Sequence, residues 1–130
     1  MIIYKNEYIT IHLQPDGEYM ISGTTNKDKK FDHISLFVNN RAVCLLNGKY
    51  TYIDEKGNYL KKDLWCTYCS EFYKDFAMIY INKKVKYIDI NGNFIVDVEF
   101  DLGKSFNCDN IATVTLYDKQ YKLNTEGYIV

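Results

Sequence analysis

The feature that most constrains this chain is an internal repeat of 35 residues. Ala42, Ala77 and Ala112 stand at that spacing, in Arg41-Ala42-Val43-Cys44, Phe76-Ala77-Met78-Ile79 and Ile111-Ala112-Thr113-Val114. The same step links Ser35, Ser70 and Ser105, then Lys49, Lys84 and Lys119. It also links Ile53, Ile88 and Leu123, then Asp54, Asp89 and Asn124, then Gly57, Gly92 and Gly127. Periodicity of this length marks a repeat architecture, in which each unit is one supersecondary element. A partial copy precedes the three full ones: Leu13 and Gly17 correspond to Ile53 and Gly57 after a step of 40. The extra length is assigned to an exposed loop over residues 22–30. The units run approximately over 1–30 (partial, lacking its leading segment), 31–64, 65–99 and 100–130, forming one β-repeat domain over 1–130.

Each unit has the same anatomy. A lead-in aromatic, Phe31, Trp65 or Phe100, precedes a short irregular segment that ends on Asn40, Asp75 or Asn110. Asn and Asp tolerate positive φ, so a turn is expected there. A strand with alternating apolar positions follows, clearest in Ala77, Ile79 and Ile81. Asn47-Gly48 is a strong hairpin-turn signal, replaced by Asn82-Lys83 and Tyr117-Asp118 in later units. Second strands are expected over 50–54, 85–89 and 120–124. A turn ending in Gly57, Gly92 or Gly127 then leads to a third strand, such as 93–96. Asp54 and Asp89 sit where an Asx side chain can accept hydrogen bonds from its own turn. No segment sustains a helical period, and residues 70–76 could form at most one helical turn. The expected fold is all-β: an array of about four β-meander or hairpin repeats, solenoid-like or closed into a small ring. A lone hairpin cannot bury its face, so the units must share a core.

Composition narrows the function. The net charge is −1 with no long run of one sign, which argues against bulk-charge binding of nucleic acid or anionic membrane. The apolar run Met1-Ile2-Ile3 is too short for a secretion signal, and no stretch reaches the roughly 18 apolar residues of a membrane span. The expected location is the cytoplasm, with all four cysteines reduced. Lys, Asn, Ile and Tyr are abundant and Arg41 is the lone arginine, a bias that fits an AT-rich genome, such as that of a low-GC bacterium or its phage.

Residues 47–59, Asn47-Gly48-Lys49-Tyr50-Thr51-Tyr52-Ile53-Asp54-Glu55-Lys56-Gly57-Asn58-Tyr59, resemble the core of the WG-type β-repeat, a bacterial repeat family, and so do residues 84–96. The Trp-Gly pair that names the family is absent, replaced by Tyr50-Thr51, Val85-Lys86 and Gln120-Tyr121. The resemblance implies β-hairpin repeats and a binding role, and it supplies no catalytic residues. Residues 47–60 also resemble a choline-binding or cell-wall-binding repeat, which uses aromatic-rich hairpins with a shorter period.

Motifs with chemical potential have plainer explanations in the repeat frame. Trp65-Cys66-Thr67-Tyr68-Cys69 has the form of a redox Cys-x-x-Cys, but such a site opens a helix and none is expected here. Zinc would need two further ligands from Cys44, Cys108, His12 and His33. Cys44 is equivalent to Ile79 and Val114, and Cys108 to Val38 and Tyr73, so ordinary buried or half-buried thiols are expected. His12 and His33 lack motif partners, and Asp97, Glu99 and Asp101 read as a solvated strand face. No catalytic, cofactor-binding or metal-binding residue is expected, and no enzyme activity.

Departures from the repeat are the functional candidates. The middle unit turns aromatic: Phe76 replaces Arg41 and Ile111, and Tyr80 replaces Leu45 and Thr115, with Tyr68 and Tyr73 nearby. Phe76, Met78 and Tyr80 share one strand face, opposite Ala77, Ile79 and Ile81. Exposed, that face with Tyr68 and Tyr73 would form a protein-binding patch; stacked against the next unit, it would be core. The expected function is a non-enzymatic module that binds another protein, one version being a phage or mobile-element inhibitor of a host factor. The alternative is a repeat protein that binds cell-wall carbohydrate or choline.

Overall fold

The computed structural model describes residues 1–23 and 28–130, which form 13 β-strands and no helix. The strands fall into four antiparallel sheets in chain order. The first holds β1 (Ile2–Lys5), β2 (Ile9–Leu13), β3 (Tyr19–Gly23) and β4 (Lys29–Phe31). The second holds β5 (His33–Ile34), β6 (Arg41–Leu46) and β7 (Lys49–Asp54). The third holds β8 (Tyr68–Cys69), β9 (Phe76–Ile81) and β10 (Lys84–Asp89). The fourth holds β11 (Leu102–Gly103), β12 (Ile111–Leu116) and β13 (Lys119–Asn124).

The hairpins of the last three sheets close through two-residue turns in which both residues have positive φ: Asn47 and Gly48, Asn82 and Lys83, Tyr117 and Asp118. That geometry matches the right-handed twist of the flanking strands. The following turns are pinned by Asx side chains. Asp54 Oδ1 accepts the Lys56 and Asn58 amides, Asp89 Oδ1 those of Asn91 and Asn93, and Asn124 Oδ1 those of Glu126 and Tyr128.

Five expectations are corrected. The third strand of each full unit shrinks to single bridges, Ile53 to Tyr59, Ile88 to Phe94 and Leu123 to Ile129. The partial first unit instead gains strands: β3 includes Ser22 and Gly23, and β4 includes Lys29 and Lys30, where a loop was expected. Residues 24–27 of that segment lie outside the described residues. In the middle unit's turn the left-handed residue is Lys74 (φ 54) rather than Asp75. The lead-in frame slips by one: Cys66 pairs with Tyr50 as Phe100 pairs with Val85, so Cys66, and not Trp65, is the buried counterpart of Phe31 and Phe100. Lys104, and not Ser105, likewise stands where Ser35 and Ser70 do, because its amide bonds Thr113 as theirs bond Val43 and Met78.

Successive sheets stack face to face around three core clusters. The first joins Ile9, Ile11, Ile21 and Phe31 to Ala42, Cys44 and Ile53. The second joins Tyr52, with Val43 and Tyr50 against it, to Ala77, Ile79 and Ile88. The third joins Val85 and Tyr87, with Met78 and Tyr80, to Ala112, Val114 and Leu123. Among the described residues no cluster joins the fourth sheet to the first, so the array is open. The alanines face the preceding sheet and are close-packed, at 1%, 3% and 0% exposure for Ala42, Ala77 and Ala112.

We call the alanine side of each full unit its rear face and the opposite side its forward face. The second, third and fourth sheets stack forward to rear. The first sheet breaks this polarity. Its turn 14–17 carries the same backbone bonds as 54–57, so Leu13 corresponds to Ile53. Ile9 and Ile11, on the Leu13 side of β2, meet Ile53 and Ala42, so the first sheet packs rear to rear.

Candidate interaction surface

The forward faces of the second and third sheets are each locked to the next sheet by a tyrosine. Tyr52 and Tyr87 are both 0% exposed. The Tyr52 hydroxyl donates to the Ser70 carbonyl, and the Tyr87 hydroxyl donates to the Lys104 carbonyl at 2.7 Å. Their rings pack on Phe72 and Phe106 of the following unit, with centroids 4.9 and 5.2 Å apart. Burial drives both phenols well above the ordinary tyrosine range, with the nearby Cys69 and Cys66 adding to the effect at Tyr52. The spacing of Tyr52 and Tyr87 is the repeat step, so the same frame that revealed the alanines contained this clasp.

The clasp decides the fate of the aromatic middle unit. Phe76, Met78 and Tyr80 lie on the forward face of the third sheet and pack against the third cluster. Phe76 meets Phe106 at 5.5 Å. These three residues are therefore half-buried between sheets rather than a free patch, because an inner sheet of a stack has both faces covered. Tyr68 and Tyr73 remain exposed, at 49% and 42%. The five residues thus divide between an internal interface and the surface.

The repeat arranges the exposed residues in a row. His33, Tyr68 and Leu102 hold the same register position on the lead-in strands β5, β8 and β11, paired with Leu45, Tyr80 and Thr115. All three are exposed, Leu102 to 64%. Stacked sheets lie about 10 Å apart, so the row spans about 20 Å of one edge of the array. Tyr50 supports Tyr68 edge-on at 6.3 Å.

The other chemical candidates are internal or solvated. Cys44, Cys66 and Cys69 are buried free thiols, while Cys108 is exposed, contrary to the expectation of a covered thiol. Cys66 is made the more acidic of the Cys66–Cys69 pair by the hydrogen bond from Cys69, and the same bond, with burial, drives Cys69 up. Burial pushes Cys44 up as well. A nucleophilic or redox-active thiol has to be reachable, and these three are enclosed. His12 lies on β2, and among the described residues no three His, Cys, Asp or Glu side chains group as metal ligands would. Asp101 is engaged rather than free: it pairs with Lys84 and accepts the Tyr117 amide.

Aromatic faces near the third-strand bridges carry lysines. Lys86 and Lys61 place their ammonium groups 4.0 and 5.0 Å from the Phe94 ring centre, and Lys29 lies 5.5 Å from that of Tyr59.

Residues 87–119 match the family model of the WG containing repeat. The matched segment holds the last three residues of β10, the link to the fourth sheet, β12 and the turn that follows it, and it contains no tryptophan. No curated protein matches the chain. Among solved structures, the chain is similar to selenomethionine-substituted virginiamycin B lyase from Staphylococcus aureus, at 12% identity and a TM-score of 0.42. That alignment covers 99% of this chain and 53% of the other, so the chain spans about half the length of that structure.

Proposed function

We propose that this array, a WG-type β-repeat by its residues 87–119, is a non-enzymatic module that binds another protein in the cytoplasm. The observation that carries the reading is the exposed row of His33, Tyr68 and Leu102. A repeat array sets equivalent positions in line, and binding surfaces of such arrays are built from the exposed positions that vary from unit to unit. Aromatic and aliphatic side chains held rigidly at an edge are the anchors a protein interface uses. The buried thiols suit a reducing compartment. The choline or cell-wall reading is less favoured, because the Phe94 and Tyr59 rings that could receive a quaternary ammonium already carry lysines.

The test is site-specific photocrosslinking in lysate of the native host. A crosslinking residue at 68 or 102 should capture one discrete protein, and the same residue at Lys30, on the first sheet, should not. Leu102→Ala should weaken capture from position 68 at least tenfold, and Tyr68→Ala should do the same to capture from position 102. Equal labelling from all three positions, or retention on isolated cell wall instead, would count against the reading.

A further inference from the structure

We propose that the free edge of β13 at Gln120 receives an extended segment of a partner polypeptide, with an aromatic side chain of that segment entering the groove beside it. In the second and third units the chain itself takes this place. Cys66 exchanges backbone hydrogen bonds of 2.8 and 2.7 Å with Tyr50, and Phe100 exchanges bonds of 2.8 and 2.9 Å with Val85. Gln120 is the next equivalent residue, and among the described residues it exchanges no such pair. An unpaired strand edge is a template for another strand.

The second unit shows what a segment on that edge does with its side chains. The residue before Cys66 is Trp65. Alternation sends it to the opposite face, where it packs against the first cluster and meets Tyr59 at 5.8 Å. The fourth unit repeats this seat. Phe100, Leu116, Leu123, Gly127 and Ile129 line an open groove of about 230 Å³, and they are the counterparts of Phe31, Leu46, Ile53, Gly57 and Tyr59.

The third unit shows why the guest should be aromatic. There the residue before Phe100 is Glu99, and the seat is charged, with Lys61 and Lys86 over Phe94. In the fourth unit Tyr121 replaces Lys86, and Val96 replaces Lys61. Both line the groove, whose walls are apolar. Such a seat favours a Trp or Phe over a carboxylate.

This inference rests on the protein-binding reading for the class of ligand and names a different surface. The probe is an acetylated, amidated peptide of residues 61–70 carrying Cys66→Val and Cys69→Val. It should bind saturably by calorimetry and slow hydrogen exchange of the Gln120 amide. Trp65→Ala in the peptide, or N-methylation of its residue 66, should weaken binding at least tenfold. Ile129→Lys in the protein should do the same, and Ile129 is 51% exposed, so the fold should tolerate it. No saturable binding, or binding indifferent to all three changes, would overturn the proposal. If the peptide fails while crosslinking from position 68 persists, the edge site falls and the protein-binding reading stands. If the peptide binds while positions 68 and 102 capture nothing, the edge site stands and the row of His33, Tyr68 and Leu102 falls as the docking surface.

Discussion

The forward faces of the third and fourth sheets are built from equivalent positions and have opposite character. The third presents Met78, Tyr80, Val85 and Tyr87, and all four lie in or against the third core cluster. The fourth presents Thr113, Thr115, Gln120 and Lys122, of which Gln120 and Lys122 are exposed. The first sheet makes the same substitution. His12 and Thr10 hold the places of Tyr52 and Tyr50, and neither belongs to a core cluster. A stack of sheets stays soluble only if its end faces are polar. The difference teaches that the repeat fixes the backbone while the forward-face residues decide whether another sheet can be stacked.

The sharpest way to break this comparison is to delete a clasp and its end-face counterpart. Tyr52→Ala should cost about 3–5 kcal/mol in urea unfolding, the range for removing a buried aromatic. Lys122→Ala should change stability by less than about 0.5 kcal/mol. Similar costs at the two positions would erase the distinction.

A second contrast uses two glycines, both with positive φ. A Cβ on Gly127 would lie 2.2 Å from the Ile95 carbonyl oxygen of the preceding unit, whereas a Cβ on Gly17 meets nothing within 4 Å. Gly127→Ala should therefore cost more than about 2 kcal/mol, because backbone clash adds to the left-handed strain. Gly17→Ala should cost about 1 kcal/mol from the backbone alone. Equal melting temperatures for the two variants would show that the fourth unit docks more loosely than described.

The smallest effect concerns the clasp hydroxyls. Burial raises the folded-state values of Tyr52 and Tyr87 above those of the unfolded chain. The unfolded state therefore loses its protons first. The stabilisation is complete below pH of about 10 and declines as pH rises beyond it, by up to about 1.4 kcal/mol per pH unit for each tyrosine. Tyr87→Phe should cost about 1 kcal/mol at neutral pH for the lost hydrogen bond. It should also flatten the alkaline limb of a stability–pH profile. An unchanged limb would mean that Tyr87 is reached by solvent.

Much of this was legible in the sequence because the repeat is written in residue types with backbone consequences. Positive-φ turns favour Asn, Asp or Gly, and close-packed positions favour Ala, so Asn47-Gly48, Asp54, Ala77 and Gly92 announced their roles. The rest concerns relations between units. Phe76 and Tyr80 have the same alternation whether water or a neighbouring sheet lies above them, so periodicity cannot assign their burial. The one-residue slip that puts Cys66 beside Tyr50 was hidden because Trp65 is the better aromatic match to Phe31 and Phe100. The third strands failed for a related reason. Asn93-Phe94-Ile95-Val96 has strand composition, but after the Ile88 to Phe94 bridge the chain bulges away and rejoins the edge only at Phe100. The row of His33, Tyr68 and Leu102 has no compositional signature and emerges only when equivalent strands are placed side by side.

The rear-to-rear contact of the first two sheets bears on how such a chain could grow. An array stacked in one direction throughout could gain a copy at either end. Here the rear of the second sheet is closed by a sheet turned to meet it, through Ile9, Ile11 and Ile21. A duplicated 35-residue segment inserted between the first and fourth sheets would find a rear or forward face already suited to receive it, whereas one stacked on the outer side of the first sheet would meet only the face that carries Thr10 and His12. Lineages descended from such a chain should therefore differ in length by whole units inserted between the opening hairpins and the polar-faced fourth sheet.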